Sequence, residues 1–150
     1  MLSFPKEGSM TRRFWILFGA SLLTAAFALA QAGRTIEVNI VYTGAGKVDA
    51  NHKIYVALWN SPDTQAGPPV DVQSVDSKTG TAVFKNVQTV PAYVSAAFDP
   101  TGKWDAQSPP PSGSSLGMHS SKPPKPDPID VAAGKTTTIK LTFNDSQKTP

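Results

Sequence analysis

The sequence predicts an all-β fold, a single antiparallel β-sandwich of about seven strands preceded by a helical signal peptide. After residue 33, apolar residues alternate with polar ones at a period of two, which is the pattern of half-buried strands. Clusters of Gly, Pro, Asn, Asp and Ser separate these alternating segments, as expected for turns between short strands. The same region contains no segment with the spacing of apolar residues that an amphipathic helix requires.

The first and last predicted strands show the clearest alternation. The first covers residues 35–43, where Ile36 begins a series of four alternating apolar residues. The last covers residues 136–144 and contains a similar series. Because each strand buries one face, we expect both to share one core, which favours a single domain over residues 34–145.

The strands between them are shorter and are bounded by turn signals. Residues 53–59 carry apolar side chains on both faces, which predicts a central strand covered on both sides. The remaining predicted strands are residues 70–75, 81–85, 92–98 and, as a short edge strand, 129–132.

A segment rich in proline and serine interrupts this pattern at residues 106–128. Half of the 14 prolines lie between Pro109 and Pro128, among serines and glycines. Proline cannot donate to a strand ladder, so the composition predicts an exposed loop with polyproline II character. Residues 146–150 are predicted to be a tail.

The N-terminal segment has the pattern of a secretory signal peptide over residues 1–30, with Met10 as a possible true start. Arg12 and Arg13 precede an apolar run that ends near Ala30, where small residues recur at the spacing of a cleavage site. We expect cleavage after Ala30, with Ala32 as the alternative. The paired arginines also leave export by the twin-arginine route open.

The export signal predicts a periplasmic or secreted protein with no membrane span after cleavage. If the signal is not cleaved, its apolar run approaches the roughly 18 residues of a spanning helix and would anchor the chain N-terminally. The chain contains no cysteine, which excludes disulfides, thiol nucleophiles, zinc–thiolate sites and a lipid-anchored cysteine.

The net charge of +3 derives largely from the signal. Three of the 14 basic residues and one of the 11 acidic residues precede Ala30, so the remainder carries +1. Its lysines are scattered singly and form no clustered basic patch, so we expect no nucleic acid as a partner.

Residues 75–99 carry a short pattern of turn glycine, aromatic strand, connection and tyrosine strand. The residues of this pattern are Gly80, Phe84, Asn86, Val87, Tyr93 and Val94. It resembles the carboxypeptidase regulatory-like and transthyretin-like (prealbumin-like) β-sandwich domains of exported bacterial proteins. Those domains have glycine before the tyrosine, where this chain has Pro91 and Ala92. The resemblance implies a sandwich fold and an accessory or binding role.

The residues available for catalysis are few, and we expect no enzymatic activity. His52 and His119 are the only histidines, and no cysteine is available as a nucleophile. Transthyretin-like hydrolases of 5-hydroxyisourate need an arginine and a C-terminal Tyr-Arg-Gly-Ser motif. After the signal this chain has only Arg34, and it ends in Asp-Ser-Gln-Lys-Thr-Pro.

Two groups of residues are candidates for ligand binding. Trp104 and Trp59 lie near predicted strand ends, and aromatic faces stack on sugar rings; for Trp59, core packing is the alternative. Asp99, Thr101 and Asp105 surround a glycine turn and offer oxygen ligands for calcium. The alternative for this loop is an ordinary Asp-Pro-x-Gly turn without metal.

Together these features predict an exported non-catalytic β-sandwich module with a structural or protein- or cell-envelope-binding role. The alternative is a small-ligand module that binds carbohydrate or calcium through the loop after strand 92–98. No cofactor is expected, calcium at the loop after strand 92–98 being the alternative, and the oligomeric state is left open.

Overall fold

The computed structural model describes residues 32–150, and within them seven strands form two sheets. The predicted signal peptide, residues 1–30, therefore lies outside the described residues. Sheet A has the strand order β4-β1-β7, and sheet B has the order β3-β2-β5-β6. The strands are β1 (Arg34–Tyr42), β2 (Ile54–Trp59), β3 (Asp71–Val75), β4 (Thr79–Val87), β5 (Tyr93–Phe98), β6 (Ser115–Met118) and β7 (Thr136–Phe143).

The strand pairs are antiparallel except for β1 and β7, which run parallel. In that pair Ile36 lies beside Thr137, and Val38 lies beside Ile139. The prediction of a wholly antiparallel sandwich is therefore wrong for one pair. Alternation reports which side chains share a face, but it carries no information about strand direction or neighbours.

The core lies between the sheets and is built from one face of each strand. Ile36 and Val38 of β1 and Phe84 of β4 are fully buried, and they face Ile54 and Val56 of β2. The period-two alternation of the sequence thus identified the inward residues of these strands correctly.

The strand β2 is central in sheet B, as predicted, but its second face carries no further layer of strands in the described part of the chain. Ile54, Val56 and Leu58 are buried in the core. Tyr55 and Trp59, on the opposite face, are only half-buried. Packing between two layers of strands therefore does not explain why large aromatic residues occupy positions 55 and 59.

The proline- and serine-rich segment and its surroundings differ most from expectation. The strand β6 lies inside the predicted loop 106–128, and its four residues are too few to show alternation. Residues 129–132 form only an isolated bridge, between Ile129 and Ala92. The predicted tail pairs with β6 instead, since the N–H of Leu116 donates to the carbonyl of Gln147 at 2.8 Å.

Gly117 allows β6 to approach β7 closely, and replacing it with alanine should destabilise the fold. A Cβ at Gly117 would lie 2.5 Å from the Cβ of Phe143, far inside van der Waals contact. Overpacking of this kind costs about 1–3 kcal/mol of unfolding free energy, measurable by urea denaturation. The matched control is Gly67→Ala, because no atom lies within 4 Å of the added Cβ. Equal stability of the two variants would contradict this close packing.

Candidate functional site

The outer face of sheet B is aromatic and uncharged. Because side chains alternate along a strand, Tyr55, Ala57 and Trp59 point away from the core. The register places Tyr93 beside Trp59 and Ser95 beside Ala57 on this face. We call these outward positions of sheet B the aromatic face: Val72, Ser74, Tyr55, Ala57, Trp59, Tyr93, Ser95, Ala97, Leu116 and Met118.

The outer face of sheet A is polar, in contrast. On β1, Glu37 lies between Val83 and Thr138, and Asn39 lies between Thr81 and Lys140. Thr81 donates a hydrogen bond to Asn39 Oδ1 at 2.8 Å, and Thr138 donates one to Glu37 Oε2 at 3.3 Å. The sandwich therefore has one hydrated face and one apolar face.

Trp59 lies on the aromatic face and not in the core. Its indole Nε1 donates to the hydroxyl of Ser95 on β5 at 2.9 Å. This bond links the indole ring to the neighbouring strand β5 and gives the only polar atom of the ring a hydrogen-bond partner. The ring is half-buried and keeps part of its surface open to solvent.

Trp104 is joined to the same side of sheet B through Tyr55. The Tyr55 and Trp104 rings meet edge to face, with centroids 4.8 Å apart and an interplanar angle of 74°. The Tyr55 hydroxyl donates to the Trp104 carbonyl at 2.9 Å, and Trp104 Nε1 donates to the Ser108 carbonyl at 2.9 Å. The structure therefore brings the two predicted ligand-binding tryptophans to one surface, although they do not form a direct hydrogen bond.

Asp99 organises the loop that carries Trp104. The carboxylate is 1% exposed and accepts hydrogen bonds from the Thr101 N–H (2.8 Å) and hydroxyl (2.7 Å), and from the Trp104 N–H (2.9 Å). Burial acts to raise its pKa, but these hydrogen bonds outweigh burial and leave the pKa below its usual value. Gly102, at φ +67°, provides the left-handed residue that this turn requires.

The three residues predicted to bind calcium are only partly brought together. Asp99 and Thr101 are hydrogen-bonded to each other, whereas the carboxylate of exposed Asp105 accepts from the Gln107 N–H at 2.9 Å. Within residues 32–150, no three His, Cys, Asp or Glu side chains converge as a metal site would require. Calcium binding by this loop stays a prediction.

The sequence pointed to Trp59 and Trp104 but missed Tyr55, Tyr93 and Ser95. Tyr55 and Trp59 are four residues apart on one strand, so their shared face was visible in the alternation. Tyr93 and Ser95 join them only through the pairing of β2 with β5, which the sequence does not specify.

Within residues 32–150, the histidines and serines do not form the hydrogen-bonded serine–histidine–carboxylate arrangement of a catalytic triad. His52 Nδ1 lies 3.0 Å from Asp49 Oδ1 in a surface turn. The Ser121 hydroxyl donates to the Asp127 carboxylate, and no histidine ring is hydrogen-bonded to a serine or threonine hydroxyl in this part of the chain. The expectation that the chain is not an enzyme stays a prediction.

A second polar cluster closes one end of the sandwich around Asp145. Its Oδ1 accepts from the hydroxyls of Tyr42 (2.5 Å) and Ser115 (2.7 Å), and its Oδ2 accepts from the Ala45 N–H (2.8 Å). The bond from Tyr42, followed by those from Ser115 and Ala45, lowers the pKa of Asp145 to about 2. The Tyr42 ring also stacks on Phe98, with centroids 5.1 Å apart.

This cluster predicts a specific loss of stability in acid. The folded-state pKa of Asp145 lies below its unfolded value, so its contribution is complete above about pH 5 and is lost as the pH falls toward 2. We expect Asp145→Asn to cost about 1–2 kcal/mol at pH 7, allowing for solvent screening, and to flatten the pH dependence of stability between pH 5 and 2. Urea denaturation over this range measures both effects.

Asp76→Asn serves as the control for that experiment. Asp76 is exposed, and its carboxylate accepts no hydrogen bond from the described residues. An acid profile of Asp145→Asn identical to those of the control and the wild type would contradict the assigned role of Asp145.

In residues 32–150, no helix is long and apolar enough to cross a membrane. Comparison of the chain with protein-family models, curated proteins and solved structures finds no match.

Proposed function

We propose that this chain is an exported, non-catalytic binding module that binds a partner protein through the aromatic face. The observation that carries the proposal is the contrast between the two outer faces. Sheet A presents threonine, asparagine and charged side chains to solvent, whereas the outward positions of sheet B carry no charge. Cores of protein interfaces are depleted in charged residues and enriched in Tyr, Trp and Met, all of which occur here.

The rings of this surface are held in place before any partner arrives. Trp59 is hydrogen-bonded to Ser95, and Trp104 is bonded to Ser108 and packed on Tyr55. Side chains that are already ordered lose little entropy on association, so more of the contact energy appears as affinity. Rigid aromatic side chains are also the commonest residues to dominate binding energy.

The remaining surface of sheet B is compatible with a broad partner. The small residues Ala57 and Ser95 lie between the larger ones, and Ala97 beside Tyr55 is buried, which leaves a shallow surface. Val70, the large apolar side chain that is 56% exposed, adjoins the edge of the sheet, where its N–H donates to Leu58. A shallow apolar surface favours a macromolecule over a small molecule.

Carbohydrate is the second candidate, favoured by the position of Trp59 and Trp104 on one side of sheet B. A glycan stacked on either ring would change tryptophan fluorescence. Titration with soluble envelope polysaccharides that left the emission unchanged would count against this alternative and leave the protein partner as the better proposal.

Two further parts of the proposal rest on the sequence. The pattern of residues 1–30 supports export, to the periplasm or the medium. The resemblance of residues 75–99 to carboxypeptidase regulatory-like domains supports an accessory role, and the two-sheet fold is compatible with that resemblance.

A charge placed on each face in turn tests the proposal. Val72→Glu inserts a carboxylate at the edge of the aromatic face, and Thr81→Glu inserts one on the polar face as the control. Immobilised wild type and Thr81→Glu should retain the same protein from an envelope extract, and Val72→Glu should lose it. Equal recovery by all three proteins would exclude the aromatic face as the binding surface.

A further inference from the structure

A second surface, the outer edge of β7, adjoins the aromatic face at Leu116 and Met118 and has the properties of a docking site for an extended peptide. Three of the four sheet edges are protected against pairing. The strand β3 has only five residues, and β4 contains a register shift near Asn86, which has a φ of 56°. The strand β6 has four residues, and residues 147–149 of the same chain already bond to it. Short strands, bulges and covering segments are the usual means of protecting an edge.

The strand β7 has none of these protections within the described residues. It has eight residues, contains no proline, and pairs with β1 without any shift of register. Lys140 is its only charged residue, and this single lysine is the one protecting feature that the strand itself carries. A long and regular edge of this kind is a template for another strand.

The hydrogen-bonding groups that face outward can be assigned from the ladder. The N–H of Thr35 donates to the carbonyl of Lys135, and the N–H of Thr43 donates to that of Phe143. Odd-numbered residues of β7 therefore bond to β1, and even-numbered ones point the other way. The N–H and C=O groups of Thr138, Lys140 and Thr142 have no backbone partner in residues 32–150.

A groove runs beside this edge, between β6 and β7. It consists of two adjoining depressions of about 420 and 250 Å³, which share Met118, Ser120 and Thr142 as lining residues. Leu141 lines the larger depression together with Lys140 and Asp127. The groove therefore offers apolar surface from Met118 and Leu141 and one charge of each sign, from Lys140 and Asp127.

We propose that the outer edge of β7 binds an extended peptide segment of a partner protein by strand addition. The peptide would bond to the outward backbone groups of Thr138, Lys140 and Thr142. Alternate side chains would enter the groove near Met118 and Leu141 and should be apolar. The side chains between them would lie beside Lys140 of the strand, where an acidic residue would complement its charge, whereas an acidic residue that entered the depression would meet Asp127.

Proline substitutions at matched positions test this proposal. Thr138→Pro removes an outward N–H of β7 without removing a bond to β1. Thr81→Pro is the control at the opposite edge of sheet A, because Thr81 also points outward and also donates from its side chain to β1. Each variant loses the same kind of side-chain bond, so their intrinsic effects on folding should be similar.

The probe is a phage-displayed library of random linear peptides, panned on the purified full chain, followed by a synthetic peptide of the enriched sequence. We expect enriched peptides to alternate apolar and polar residues. Thr138→Pro should weaken binding of the synthetic peptide about tenfold or more, and Thr81→Pro should leave it within about twofold.

Amide hydrogen exchange of the wild-type protein keeps the test independent of how the variants fold. Bound peptide should protect the N–H groups of Thr138, Lys140 and Thr142 and leave that of Thr81 unchanged. Failure to enrich any peptide, or protection elsewhere, would overturn the proposal. A wild-type dimer that Thr138→Pro converts to monomer would also overturn it, because the edge would then bind a second copy of the chain.

Discussion

Replacing Asp99 with alanine is expected to lower the free energy of unfolding by about 2–4 kcal/mol. The carboxylate is buried and accepts three hydrogen bonds, two from Thr101 and one from the N–H of Trp104. Without it, the backbone N–H groups of Thr101 and Trp104 lose their partner. Chemical denaturation measures the change in stability directly.

The same substitution should disturb the aromatic face. Asp99 fixes the backbone of Trp104, and Trp104 packs on Tyr55. We therefore expect the tryptophan emission to shift toward that of a solvent-exposed indole even in the folded variant. Asp105→Ala is the control, because among the described residues this exposed carboxylate accepts a hydrogen bond only from the nearby Gln107 N–H.

The effect of calcium on stability distinguishes a loop that Asp99 organises only through hydrogen bonds from a loop that binds the metal. If Asp99 acts only through hydrogen bonds, the melting temperatures of wild type and Asp99→Ala should be unaffected by calcium or a chelator. If calcium raised the melting temperature of the wild-type protein but not that of Asp99→Ala, a role of Asp99 through hydrogen bonds alone would be contradicted. That result would support the metal site.

Replacing Trp59 with alanine is expected to have the largest effect on partner binding. Trp59 lies on the aromatic face and is held by Ser95. Truncation of a rigid aromatic anchor at the centre of an interface costs about 2–4 kcal/mol, or roughly thirtyfold and more in affinity. Because its ring is outside the core, the loss of folding stability should be smaller than the loss of binding.

Ser95→Ala is the matched variant for Trp59. It removes the hydrogen bond from Trp59 Nε1 and leaves the ring in place. We expect a smaller loss of affinity, since the apolar surface remains and only its fixation is removed. Binding measurements in which Trp59→Ala equals wild type would show that the indole does not contact the partner.

The core was predictable from sequence because burial follows alternation. Ile36 and Val38 lie on the buried face that their spacing indicated. The parallel pairing of β1 with β7 was not predictable, because it depends on how the chain crosses between the sheets. The strand β6 was hidden because four residues between proline-rich stretches are held by β5 and by residues 147–149.

The candidate site was likewise predictable from the sequence only in part. Trp59 and Trp104 were recognisable as aromatic residues near strand ends, and the structure places both on one side of sheet B. The contribution of Tyr93 and Ser95 depends on register, and the fixation of Trp104 depends on a buried carboxylate five residues earlier. Contacts between distant strands are set by the whole fold and leave no local pattern.

The central claim, that the aromatic face contacts a partner protein, is tested most directly by photo-cross-linking in cells that produce the chain. Ser74 is exposed on the aromatic face, and Thr81 is exposed on the polar face, so a photoreactive amino acid at either position should leave the core intact. The account predicts a protease-sensitive adduct of defined mass from position 74 and none from position 81. No adduct from position 74, or the same adduct from both positions, would contradict it.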